Sequence, residues 1–265
     1  MPVTASGNTL PDPLTALRRS HERLVAAVEP LSPAALEGPA YPSEWSIAQT
    51  VSHIGSGSEI FTMVFEAARD GRDAPSREAY QEVWAVWDAK SPVDQAADGL
   101  RSSAIFLSRV EALSAEAAAA FRVSLYNGEQ DLNGLLRTRL SEHAMHTWDV
   151  VVPFDLEAGL EPDATALLLE ELPWLIHRAG KPVPIPLHTE VVTRDPDRAY
   201  TLDVDEDGPR LVAVDPDTAV GDSALRLPAE AFVRLVYGRL DAEHTPDYEP
   251  DGIDLDTLRR VFPGF

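Results

Sequence analysis

Apolar residues recur at helical spacing through roughly the first two thirds of the chain and then switch to short alternating runs. Leu14, Leu17, Leu24, Val28 and Leu31 fall on one helical face after Pro13, behind a loose tail over residues 1–12. Pro30 and Ser32-Pro33 close that helix and start a short one. A Pro-containing loop, Gly38 to Pro42, leads to a second long helix over about Ser46–Asp70, which Gly71 ends. An amphipathic piece follows at Glu78–Trp87, and then a long helix at about Val93–Ala120. A polar break over residues 126–131 separates it from a helix at about Leu132–Val152, stopped by Pro153. One more helix is expected over Pro162–Ala179, kinked or split by Pro173 and ended by Gly180 and Pro182.

Beyond the Pro-rich stretch at residues 182–186 the pattern predicts strands: His188–Arg194, Ala199–Val204, Arg210–Val214 and Ser223–Leu227. Turn residues separate them, among them Asp205-Glu206-Asp207-Gly208. Helices over Ala229–Leu240 and Leu255–Val261 complete the chain. These elements predict an α+β protein of two domains: a four-helix bundle over 13–180 and a small α+β domain over 187–265.

Composition narrows the chemistry. At 265 residues, 44% of them hydrophobic, the chain can bury a real core. Its net charge of −22, with no basic run, disfavours nucleic acid and anionic membranes as partners. Without cysteine there is no disulfide, no thiolate metal ligand and no cysteine nucleophile; any thiol chemistry must use a thiol from outside. No signal-like or membrane-spanning run is evident, so a cytoplasmic protein is expected. Walker, Rossmann, His-Glu-x-x-His and Gly-x-Ser-x-Gly patterns do not occur.

What remains is a set of histidines and carboxylates. Glu142 and His146 stand four residues apart, on one helical face, with Arg139 and Asp149 three residues outside them. Alone, that stripe reads equally as a solvated salt-bridge ladder. His53, in the second long helix, is uninformative by itself. Joined to Glu142 and His146 it makes a set of two histidines and one carboxylate, as helical bundles use to hold a metal. Three protein ligands leave room for water or substrate, which suits catalysis. Arg139 and Asp149 would then orient the carboxylate and an imidazole, with Arg139 paired to a nearby carboxylate. His143, rotated about 100° from Glu142, fits the same ion less well and is expected to face a pocket or the surface. Trp45, Ile47 and Val51 are expected to anchor the start of the second helix in the core, and Gly55 and Gly57 to allow close helix packing or make room for a ligand.

Two motifs now carry a family likeness. Trp-Ser followed by His after six intervening residues (Trp45, Ser46, His53), and Arg-x-x-Glu-x-x-x-His-x-x-Asp (Arg139, Glu142, His146, Asp149), resemble the DinB-like metalloenzyme superfamily. More narrowly they resemble the mycothiol-dependent maleylpyruvate isomerase family. Residues Ala231 to Leu240 resemble the hydrophobic helix and Gly-Arg turn of that family's small C-terminal domain. Gln49-Thr50 departs from the acidic-aliphatic pair expected there. The resemblance implies a DinB-like bundle followed by a sterol-carrier-like α+β domain, a divalent metal on His53, Glu142 and His146, and mycothiol as thiol cosubstrate. Zinc suits the ligand set, as do Fe²⁺, Mn²⁺ and Ni²⁺.

The implied activity is that of a thiol-dependent transferase or isomerase acting on a small electrophile through a metal-bound thiolate. A metal-hydroxide hydrolase or lyase, and a non-catalytic metal- or ligand-binding protein, remain as alternatives. Arg239 and Arg234 are the candidates to bind a substrate carboxylate or cofactor, or else they cap their helix.

Overall fold

In the computed structural model, residues 10–41, 44–126, 128–184, 186–215, 224–250 and 254–264 are described. Most of the expected tail lies outside them, as do parts of the loops read at residues 38–42, 126–131 and 182–186 and the first residue of the run at 223–227. The chain divides into two compact units, Asp12–Ala158 and, with the residues before Asp12, Gly159–Phe265.

The first unit is helical because polar caps repeatedly start helices whose apolar stripes then bury. Its elements are α1 (Pro13–Val28), α2 (Pro33–Leu36), α3 (Ile47–Arg69), α4 (Arg77–Asp88), α5 (Pro92–Glu111), α6 (Ala115–Ala120), β1 (Val123–Leu125), β2 (Gly128–Gln130) and α7 (Leu132–Val151). The N-caps are Asp12, Ser32, Ser46, Ser76, Ser91, Ser114 and Asp131, each accepting a backbone N–H of its first turn. Four long helices, α1, α3, α5 and α7, pack on one another. One core cluster takes Leu24 and Val28 from α1, Ile47, Val51 and Ile54 from α3, Ala96 from α5 and Val150 from α7. The closest approach is between α3 and α5: a Cβ on Gly55 would lie 2.4 Å from the Trp87 ring and 2.7 Å from the Gly99 Cα. The tight packing expected around Gly55 is therefore present.

Two expectations fail in this unit. The helix read over 93–120 is two helices, because Ser114 accepts the Ala117 N–H and restarts the chain as α6. The region is also not wholly helical: β1 and β2 form an antiparallel hairpin, with Val123 opposite Gln130 and Leu125 opposite Gly128. Runs of three residues are too short for alternation to register.

The second unit comprises α8 (Pro162–Ala179), β3 (Leu187–Arg194), β4 (Arg198–Asp205), β5 (Gly208–Val214), β6 (Ala224–Pro228), α9 (Ala229–Val236) and α10 (Leu255–Val261). Its sheet runs β5-β4-β3-β6; β6 lies parallel to β3, and the other pairs are antiparallel. The whole chain is therefore α+β: a helical N-terminal region followed by a mixed four-stranded sheet with helices. Val191, Leu202, Leu225 and Phe232 are buried in this unit, where Tyr200 meets the Phe232 ring at 5.7 Å. Helix α8, assigned by sequence to the bundle, falls in this unit, because it packs on β5 and α9. A Cβ on Gly180, at its end, would strike Pro209 and touch Phe262. The boundary expected near 180–187 thus falls at 158–159. Nor does Pro173 split α8: buried Leu169, Leu172, Leu175 and Ile176 hold both halves in one core. Helix α9 stops at Val236, short of Leu240, because Gly238 turns the chain at φ +72° against Gly264.

Candidate metal centre

The centre is built where α3 passes α7. Ser46 and Gln49 form a capping box at the start of α3: the Gln49 N–H donates to Ser46 Oγ at 3.1 Å, and the Ser46 N–H to Gln49 Oε1 at 2.8 Å. That fixes the first turn and places His53 one and a half turns in. On α7, Glu142 and His146 share a face, as their spacing requires. His53 Nε2 lies 3.4 Å, and His146 Nε2 3.6 Å, from Glu142 Oε2. All three ligand atoms fall within 4.8 Å of one another. Tetrahedral ligands at about 2.1 Å from an ion stand about 3.4 Å apart, so the spacing fits one divalent cation. His53 and Glu142 are partly exposed, leaving an open side. Among the described residues this is the one group of histidines and carboxylates so arranged.

Electrostatics prepare these groups. Hydrogen bonds to His146 and His53 hold the Glu142 carboxyl well below the usual carboxylate range, against the effect of burial. Burial pushes the His146 imidazole down, but the Asp149 and Glu142 carboxylates outweigh it and raise it. Asp149 Oδ2 sits 2.8 Å from His146 Nδ1 and is fully buried. That contact fixes the ring so that Nε2 is the nitrogen presented.

Arg139 is near the centre but not in the expected role. It is buried, and its guanidinium donates to the Ile54 carbonyl at 2.7 Å and to Ser58 Oγ at 2.9 Å. No carboxylate among the described residues pairs with it at ion-pair distance. Burial lowers its pKa to about 10, with the Glu142 charge opposing the shift. Arg139 instead ties α7 to α3 just past His53, which sets the spacing between the two ligand-bearing helices. Gly57 gives it room, since a Cβ there would lie 3.1 Å from Nη1.

His143 corrects a second expectation. It faces neither pocket nor surface but the core, fully buried. Ser20 Oγ is 2.8 Å from Nδ1, Thr147 Oγ1 3.2 Å from Nδ1, and Ser103 Oγ 3.0 Å from Nε2. The ring thus joins α1, α5 and α7. Burial holds its pKa well below the ordinary histidine value.

Trp45 is the site residue that the pattern of the chain misplaced. Expected in the core beside Ile47 and Val51, it is 38% exposed and stands over the ligand histidines. Its ring lies 5.2 Å from that of His53 and 6.1 Å, nearly parallel, from that of His146. A residue just before an N-cap usually staples onto the fourth helical position. Here that position is Thr50, which gives an indole no apolar partner. The loop is closed by the Ala40 N–H to the Trp45 carbonyl and by the Tyr41 N–H to the Asp149 carbonyl, holding Trp45 at the rim. Beside His53 opens a cleft of about 570 Å³ whose walls include Trp45 and Trp84.

Arg234 and Arg239 lie in the other unit. Arg234 is buried; it makes a two-pronged pair with Glu230 at 2.7 and 2.9 Å and donates to the Arg239 and His244 carbonyls. Arg239 donates to the Tyr237 carbonyl. These bonds hold the chain after α9.

The fold and the open histidine–carboxylate set define a class: helical-bundle proteins with a side-chain group that could hold a metal ion. The family can be stated more closely. The mycothiol maleylpyruvate isomerase N-terminal domain family matches residues 17–151, more than half of the chain, and the chain belongs to that family. No curated protein matches it by sequence. Among solved structures it is similar to the crystal structure of the mycothiol-dependent maleylpyruvate isomerase, at 14% identity and TM-score 0.68, covering 92% of this chain and 95% of that one. A histidine-to-alanine mutant of that enzyme matches at 14% identity and TM-score 0.67, with the same coverage. At such identity the likeness shows the fold alone.

Proposed function

We propose that the chain is a metal-dependent, thiol-dependent transferase or isomerase of small electrophilic substrates, with mycothiol as the thiol. The observation that carries this reading is the convergence of His53, Glu142 and His146 on one ion-sized gap with an open side, in a chain of this family. We take the first unit as a DinB-like bundle, the second as a sterol-carrier-like domain, and the compartment as the cytoplasm. In support of the last, no helix among the described residues is long and apolar enough to cross a membrane.

His53, Glu142 and His146 would hold the ion, with zinc the best match to two imidazoles and a carboxylate. Such an ion supplies Lewis acidity, which lowers the pKa of a thiol at the open side. The protein's own part is positional. Asp149 fixes the His146 ring, Arg139 fixes the distance from α3 to α7, and Trp45 covers the histidines from solvent on one side. The chain has no cysteine, so the nucleophilic sulfur comes from outside.

Elemental analysis of the purified chain, followed by turnover assays of zinc-loaded protein against activated alkenes, tests the reading. About one metal per chain, turnover stimulated by thiol, and loss of both in His53→Ala are expected. Full turnover in thiol-free buffer would transfer the site to metal-hydroxide hydrolase or lyase chemistry. Metal binding with no turnover of any substrate would make it a binding protein.

A further inference from the structure

The cleft beside His53 is walled by α3, α4, α5 and the loop before α3, and its chemistry is one-sided. Trp84 and Trp45 are 44% and 38% exposed, unusual for the largest side chains in a unit with ample core. Helix α4 packs through Val83 and Trp87, so Trp84 is left over for the cleft.

Two polar lining atoms are already committed: Gln49 Oε1 accepts the Ser46 N–H in the capping box, and Ser56 Oγ donates to the His53 carbonyl at 3.1 Å. Three others are not. Asp88 makes no ion pair or side-chain hydrogen bond among the described residues. Gln95 is 93% buried yet, among the described residues, bonds only through Nε2, to the Trp87 carbonyl at 3.5 Å, leaving Oε1 without a partner there. Ser52, also buried, has no hydrogen-bond partner for its hydroxyl among the described residues. Of these, the Asp88 carboxylate and Gln95 Oε1 can only accept, and the Ser52 hydroxyl can accept or donate.

Among the described residues no lysine or arginine lines the cleft. The adjoining hollow adds Glu37 and Lys90, but Lys90 is held by Asp98 at 2.5 Å and lies 4.3 Å from the Trp87 ring. An anion entering here would meet Asp88 and Glu37 and, among the described residues, no lysine or arginine free of a carboxylate, in a chain of net charge −22. A positively charged nitrogen would meet indole faces and a carboxylate, both of which attract it.

We propose that this cleft binds an organic cation, an amine or ammonium on a flat or apolar body, as the non-reacting part of the substrate. Calling that ligand the substrate rests on the function proposed above; the binding preference itself does not. Calorimetric titration of the full chain, dialysed against chelator, with phenethylamine, 2-phenylethanol and 3-phenylpropanoate isolates the charge, since the three share a ring. The amine is expected to bind about three- to tenfold more tightly than the alcohol, and the carboxylate most weakly. Asp88→Asn should bring amine and alcohol together without changing the melting temperature, because Asp88 is exposed and unpaired. Trp84→Ala should weaken both. No saturable binding of the amine, equal binding of all three, a preference for the carboxylate, or an amine preference that survives Asp88→Asn would overturn the proposal. None of these titrations involves metal or thiol, so the metal-centre reading stands or falls separately, on zinc uptake and thiol-stimulated turnover.

Discussion

Replacing Asp149 probes the metal centre without touching a ligand. Its carboxylate is fully buried, 2.8 Å from His146 Nδ1, and raises that imidazole against the pull of burial. Asp149→Asn keeps the shape and one acceptor oxygen but removes the charge; Asp149→Ala removes the acceptor as well. Partners of this kind change metal affinity by about 10- to 100-fold. That corresponds to about 1.4–2.7 kcal/mol at about 1.36 kcal/mol per decade. The asparagine variant should fall near the lower end and the alanine variant near the upper. Competition against a chromophoric chelator measures the affinity, with thermal melting as the check on folding.

The pH profile adds a readout that a merely structural role would not move. A metal needs the neutral imidazole, so affinity falls as pH drops through the folded pKa of His146. Asp149 raises that pKa, so in Asp149→Asn the acid-side loss of affinity should begin at lower pH, while affinity at neutral pH is weaker. Unchanged affinity in both variants, or an unchanged profile, would refute the claim that Asp149 acts through His146.

Three further outcomes follow from packing and charge. Gly55→Ala forces a Cβ into the Trp87 ring and the Gly99 backbone and should cost about 1–3 kcal/mol by urea denaturation; a neutral substitution would mean that α3 and α5 are not so close. Arg234→Met removes the two-pronged cation from Glu230 and leaves that carboxylate the Leu160 N–H at 3.4 Å, which should cost about 3 kcal/mol, a loss that a change under about 1 kcal/mol would contradict. His143 has a folded pKa well below its unfolded value of about 6.5, so below that pH the unfolded chain binds the extra proton and stability falls as pH falls. Stability should therefore decline between about pH 7.5 and 5, and His143→Gln should show a shallower decline; parallel slopes would remove His143 from the account.

The sequence by itself determined the elements and half of the centre. Helix starts were legible because Asp12, Ser46, Ser91 and Asp131 offer side-chain oxygens to backbone N–H groups that nothing else can satisfy. The strands after Leu187 were legible because a buried face alternates with an open one. Glu142 and His146 had to share a face, since four residues make about one turn. What joins them across space was not local. That α3 presents His53 to that face depends on packing between helices nearly ninety residues apart in sequence, and Arg139 helps fix it through bonds to the Ile54 carbonyl and Ser58. Burial also made the choice between identical residue types. His143 and His146 are three residues apart, yet one is matched to hydroxyls in the core and the other to Asp149 at the centre. Trp45 went to the rim because Thr50 gave it no staple partner, and α8 went to the sheet because β5 and α9 cover its apolar side. Periodicity records which face of an element is apolar; only tertiary structure decides which surface buries it, because burial energy does not depend on direction.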